Sequence, residues 1–169
     1  MDAQQRRLEI ARRLKQATAP ISATALAQDL SVSRQIIVGD VALLRAGGLE
    51  ITATPRGYLL PKGKSDFLCT FACRHTSDQM EAELNAIVDQ GCTVLDVIVE
   101  HPVYGQLTAP LHVSSRYDVA QFIDRCRQSD AVPLSQLTEG LHLHTVSCRD
   151  QQAAERVRSA LTELGFLYD

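Results

Sequence analysis

Apolar residues return at helical intervals through the first fifty positions: Leu8, Ile10, Ala11 and Leu14, then Ala23, Leu26, Ala27 and Leu30, then Ile37, Val41 and Leu44. Such spacing gathers each set onto one stripe of a helix and predicts three helices. Pro20 breaks the pattern after the first, and Ser22 and Ser33 stand where the second and third need an N-cap. Gly47 and Gly48 stop the third, since glycine tolerates the left-handed turn that follows a helix. The run "LEITATPRGYLL" then reads as two short β-segments around a Pro-x-Gly turn, a hairpin.

Past "LPKGKSD", a Gly, Pro, Lys and Ser-rich linker, the period changes. "FLCTFAC" is strand-like and "SDQMEAELNAIVDQG" helical; "TVLDVIVEH" and "QLTAPLHVS" are strands joined at "PVYG". "YDVAQFIDRCRQS" is helical, "LHLHTVSC" a strand and "DQQAAERVRSALTELG" a last helix. The order β-α-β-β-α-β with an extra helix predicts a ferredoxin-like α/β sandwich, and Pro110 suits an edge strand or bulge better than a central one. The whole is α+β, with domains at residues 1–62 and 66–169.

Charge separates the same two parts. Residues 1–64 hold ten Lys/Arg against five Asp/Glu, a balance of +5, and residues 65–169 hold seven against fifteen, a balance of -8. The basic part suits a polyanion. No apolar run of membrane-spanning length occurs, and "MDAQQRRLEIARRLK" is no signal peptide, so a cytoplasmic protein without a membrane is expected. The five cysteines form no C-x-x-C pair and read as reduced packing residues.

Helix, short helix, turn, helix and hairpin is the order of a winged helix-turn-helix, whose third helix enters the major groove of double-stranded DNA. Arg34, Gln35 and Val38 point away from that helix's apolar stripe near its N-terminal end, as groove-reading residues do; Ser33, Arg45 and Arg56 are candidate phosphate contacts. Each also fits a solvated surface position.

In "GLHLHTV", His142 and His144 share one strand face with Val146 and Cys148, since side chains alternate with period two. Their bases are about 7 Å apart, close enough to converge on one ion. By themselves they also fit a solvated sheet face. Glu83 lies on the inward flank of a helix whose stripe is Met80, Leu84, Ile87 and Val88, and His75 precedes that helix, with Thr76 and Gln79 as a capping box. A carboxylate turned inward wants a cation, although one at the stripe's boundary can also reach water. His75, Glu83, His142 and His144 make an N3O set suited to Zn, Ni or Fe rather than Mg or Ca. Cys148 offers a possible thiolate on the same face. His101, just ahead of "PVYG", and Tyr104 within it are candidate ligand-pocket residues. No G-x-S-x-G, P-loop or G-x-G-x-x-G occurs, and no catalytic residue or enzyme activity is assigned.

These blocks, "SVSRQIIVGDVALLRAGG", "ITATPRGYLL", "RHT", "VEHPVYG" and "GLHLHTV", resemble the bacterial niacin-responsive transcriptional repressors, built of a winged helix and a 3H domain. The resemblance spans essentially the whole chain. It implies a homodimer on a palindromic operator, repressing NAD-biosynthesis or niacin-uptake genes with nicotinic acid as co-repressor. A divalent metal would be held by His75, Glu83, His142 and His144, with His101 as a pocket residue. Gly39 departs from the family, which usually has a longer polar or basic side chain within the recognition helix; glycine costs roughly 1 kcal/mol there relative to alanine. Two alternatives stay open: a regulator that senses the metal itself, and a metal-dependent enzyme of pyridine metabolism with a DNA-binding appendage.

Overall fold

A computed structural model of the chain describes residues 1–61 and 67–169. Most of the expected linker, including residues 62–66, lies outside the described residues. The chain divides into two compact units, Met1–Lys64 and Ser65–Asp169.

The first unit holds α1 (Ala3–Gln16), α2 (Ala23–Asp29), α3 (Arg34–Ala46) and a hairpin of β1 (Thr52–Thr54) and β2 (Gly57–Leu59). Ser22 Oγ accepts from the Ala25 N–H and Ser33 Oγ from the Ile36 N–H, so the two serines start α2 and α3. The core joins Ile10, Leu14, Leu26, Ile37 and Val41. Leu8, placed on the apolar stripe by spacing, is instead 66% exposed. What spacing did not show is Asp40, buried at the back of α3, where its carboxylate takes the Arg6 Nε at 2.5 Å and lies 3.5 Å from Arg7. That ion pair ties α3 to α1. The hairpin is held by mutual backbone bonds between Ile21 and Tyr58, and only glycine suits position 57, where φ is +138° and a Cβ would collide with the Ile21 backbone.

The second unit contains β3 (Phe67–Arg74), α4 (Met80–Val88), β4 (Thr93–His101), β5 (Gly105–Val113), α5 (Arg116–Gln128), β6 (Leu141–Cys148) and α6 (Gln151–Glu163). Single 3-10 turns at Ser77–Gln79 and Leu134–Thr138 lead into α4 and β6. Helical residues Leu84, Ile87, Val119, Ile123, Val157 and Leu161 share one core with the sheet residues Phe71, Val94, Leu111 and Val146.

The two-layer sandwich and its element succession are as expected, but the strand order refines the ferredoxin-like expectation. The order is β3-β6-β4-β5 with every neighbouring pair antiparallel. In a ferredoxin-like sheet the first and third strands lie side by side, which would make β5 central. Here β5 is an edge and β6 fills the gap between β3 and β4. Pro110 supplies the reason: it has no N–H to give to a second neighbour, so the strand carrying it belongs at an edge. β6 has two partners, and its alternate residues His142, His144, Val146 and Cys148 are all buried.

All five cysteines are free thiols. Cys69 and Cys148 lie with their sulfurs 3.7 Å apart, and burial pushes both thiols up to about 12, which keeps them protonated.

Candidate metal centre and DNA-binding surface

His142 and His144 are adjacent inward positions of β6; His75 leaves the end of β3, which pairs with β6; Glu83 rides on α4, which packs over that end of the sheet. The structure brings all four together. Their side chains are shut off from solvent, Glu83 at 0% and the three imidazoles at 1–4% exposure. The solvated alternatives for the histidine pair and for Glu83 are thereby excluded.

Each imidazole is fixed from behind by a backbone carbonyl. His75 Nδ1 donates to Thr76 O at 2.8 Å, His142 Nδ1 to Gly140 O at 2.8 Å, and His144 Nδ1 to Asp96 O at 2.6 Å. A carbonyl can only accept, so every Nδ1 carries its proton and every neutral ring presents a lone pair at Nε2. All three Nε2 atoms face one carboxylate. His75 Nε2 is 2.6 Å and His144 Nε2 3.3 Å from Glu83 Oε2, and His142 Nε2 is 3.0 Å from Oε1. The His144 contact lacks hydrogen-bond geometry, leaving that buried nitrogen without a partner.

Local structure explains these carbonyls. Gly140 takes φ +89°, and a Cβ there would strike the backbone of His75, so the loop before β6 packs directly on the loop that carries His75. Thr76 and Gln79 form the expected capping box. The register of β4 on β6 slips between Val94 and Ile98. Within that irregularity the Asp96 carbonyl accepts from His144, while its carboxylate takes the Thr145 N–H at 2.8 Å. Sequence spacing gave no sign of this role for Asp96.

Lone pairs facing carboxylate oxygens repel unless a cation lies between them. Protonation is one remedy. Burial opposes charge on His75 and His144, but Glu83 outweighs it and both pKa values are raised above the usual 6.5. Burial likewise opposes the Glu83 anion, yet the imidazoles, His144 first, hold its pKa well below 4.5. Three imidazolium ions around one carboxylate would leave two buried positive charges unbalanced. Three neutral imidazoles, one carboxylate and a divalent ion leave one, and give every Nε2 a partner. The residues present therefore fit a divalent transition metal, with rings already held in the ligating tautomer by carbonyls behind them.

Cys148, the thiol considered from sequence, lies beside Cys69. The thiol near the centre is Cys73, fully buried opposite His142 in the register. His101 and Tyr104 lie in the β4–β5 hairpin, with rings 5.0 Å apart; His101 Nδ1 accepts from the N–H groups of Val103 and Tyr104, and Tyr104 is 75% exposed. Neither ring joins the four-residue cluster. A cavity of about 530 Å3 does reach that cluster, lined by Ile98, Thr138, Leu141, His142, Leu143 and Tyr168 among others.

In the first unit Ser33, Arg34 and Gln35 are exposed at the start of α3, and Val38 is half-buried. Ile36, which the sequence reading left out, is 42% exposed between them. Arg56 stands at the hairpin turn, half-buried, its backbone N–H on Thr54 Oγ1. Arg45 is exposed but tied to the hairpin: its Nε donates to Ile51 O at 2.8 Å and its guanidinium lies 5.9 Å from the Tyr58 ring. It braces the hairpin against α3.

A winged helix-turn-helix joined to a domain with a buried histidine–glutamate cluster points to a two-domain transcription regulator. Family models agree: an HTH domain matches residues 6–59 and a 3H domain residues 69–169. The chain is 42% identical over 166 residues to the probable transcription repressor NiaR of Thermotoga maritima, covering 98% of this chain and 95% of that one. It is 41% identical over 158 residues to the transcription repressor NadR of Bacillus subtilis, covering 91% and 88%. The chain belongs to the bacterial repressor family its sequence resembles, the winged-helix proteins with a 3H domain. It is a DNA-binding protein and not an enzyme. Among the described residues no helix is long and apolar enough to cross a membrane.

Proposed function

We propose that the chain represses NAD-biosynthesis or niacin-uptake genes in response to nicotinic acid, with a divalent metal held by His75, Glu83, His142 and His144. The observation that carries the metal is the convergence of three carbonyl-anchored imidazoles on one buried carboxylate. The metal supplies a fixed positive charge; the chain's own residues set its place and exclude water from it. Zn, Ni and Fe all suit the donor set.

The cavity beside His142 is the place for the effector. Its volume suits a small ring, and Leu141, Leu143 and Tyr168 offer apolar and aromatic surface. Among the described residues no lysine or arginine lines it, and Glu100 does, so the carboxylate of nicotinic acid finds its opposite charge at the metal. Binding there favours the form of a homodimer whose two α3 helices match successive major grooves of a palindromic operator. Such a repressor works in the cytoplasm, beside the chromosome.

The test is metal analysis of the purified chain, followed by operator titration at one fixed salt concentration with and without nicotinic acid, since phosphate contacts alone make affinity salt-dependent. The wild-type chain should contain a transition metal and bind the operator more tightly with nicotinic acid. His142→Ala/His144→Ala should lose the metal and that response together. Tightening by metal alone, with no effect of nicotinic acid, would favour a sensor of the ion itself.

A further inference from the structure

The centre has a fifth candidate donor that the four-residue motif omits. Cys73 lies directly opposite His142 in the β3–β6 pairing, and both side chains turn to the buried face of the sheet. Its Sγ, a Glu83 carboxylate oxygen and a His142 ring nitrogen all lie within 4.8 Å of one another, and all three residues are buried. A small apolar packing residue would satisfy the core at this position, but it would bring no ligating atom into a polar pocket. The unpartnered Nε2 of His144, aimed at the same carboxylate, independently marks that pocket as one suited to a cation.

We propose that Cys73 is a ligand of the metal in this chain, joining the three imidazoles and Glu83 and biasing the centre toward thiophilic ions; this rests on the metal-binding reading above. On binding, the S–H bond breaks, a sulfur–metal bond forms and the proton leaves to solvent, with no change of oxidation state. A thiolate in the set favours Cd2+, Zn2+ and Co2+ over Mn2+, whose preference is for oxygen donors. The same charge change lowers the net charge of the enclosed centre by one, leaving it neutral: a divalent ion, one carboxylate and one thiolate.

The experiment uses the full-length protein, stripped of metal and titrated with Co2+ while absorption is recorded. A sulfur-to-cobalt charge-transfer band in the near ultraviolet should grow with the d–d bands and saturate at one ion per chain. Cys73→Ser should still bind Co2+ but lose the near-ultraviolet band. It should also weaken Cd2+ binding by about tenfold or more while leaving Mn2+ binding within a fewfold, the scale expected for loss of one group around a metal. Cys73→Val, apolar and of similar volume, serves as a second variant if Ser at this buried position does not fold, as judged by circular dichroism. If wild type binds Co2+ without the charge-transfer band, or the band survives in both variants, Cys73 is not a ligand and the histidine–glutamate centre stands. If wild type binds no Co2+, Zn2+ or Ni2+, the metal reading fails and this proposal with it.

Discussion

His75 Nε2 lies 2.6 Å from Oε2 of Glu83, in a pair with almost no solvent exposure. The residues are eight apart in sequence, one on the loop after β3 and the other on α4, and the 3-10 turn Ser77–Gln79 between them sets their approach. In Glu83→Gln the charge is lost while shape is kept. We expect the purified variant to lose bound metal, and added Zn2+ to leave its melting temperature unchanged where it raises that of wild type by binding only the native state. Calorimetry with and without metal checks this.

The pH dependence of the metal-free protein has a defined sign. His75 and His144 have raised pKa values, so their contribution to stability is complete below the usual 6.5 and is lost as pH rises through the raised values. Glu83 has a lowered pKa, so its contribution is present above 4.5 and is lost as pH falls through the lowered value. The stripped protein is therefore best stabilised by this cluster between about pH 4.5 and 6.5. Metal binding displaces protons from the imidazoles, so affinity rises with pH over the upper part of that range and beyond. Titration calorimetry in buffers of different ionisation enthalpy should register proton release; none released at pH 6 contradicts the assignment.

Gly140→Ala tests the loop that positions His75 and His142. The added Cβ meets the His75 backbone at a left-handed φ of +89°. Strain of about 1–3 kcal/mol is expected, read as a lower unfolding midpoint in urea. Metal affinity should fall as well, because the Gly140 carbonyl orients His142. Gly39→Ala, with open space around it, should instead be neutral or slightly stabilising.

Asp40→Ala removes the acceptor that ties α3 to α1 and leaves Arg6 and Arg7 without that carboxylate. A loss of about 1–3 kcal/mol in the first unit is expected, the usual cost of a charged hydrogen-bond partner removed from a part-buried site. Metal content should be unaffected, since the second unit has its own core.

On DNA, Arg34→Ala and Gln35→Ala should reduce discrimination between operator and unrelated duplex, by about 1–3 kcal/mol where a bidentate base contact is lost. Arg56→Ala should weaken binding to both and reduce the salt slope by about one. Arg45→Ala should act through stability, since its Nε holds the Ile51 carbonyl. Filter-binding or anisotropy titrations across salt concentrations separate the three outcomes.

The sequence by itself determined every helix and strand whose burial follows a local period, the serine caps of α2 and α3, and the inward facing of His142, His144 and Glu83. Those features depend on residues a few positions apart, where backbone geometry fixes which side chains share a face. It also held Pro110, which confines β5 to an edge, although the ferredoxin-like expectation placed that strand in the centre. Tertiary structure alone decided that β6 enters the gap between β3 and β4, bringing Cys73 opposite His142 and the Asp96 carbonyl behind His144. It alone buried Asp40 against α1 and left Leu8 in solvent. These outcomes depend on pairing between segments far apart in the chain, where partners are chosen by the packing of the whole unit and no local spacing records the choice.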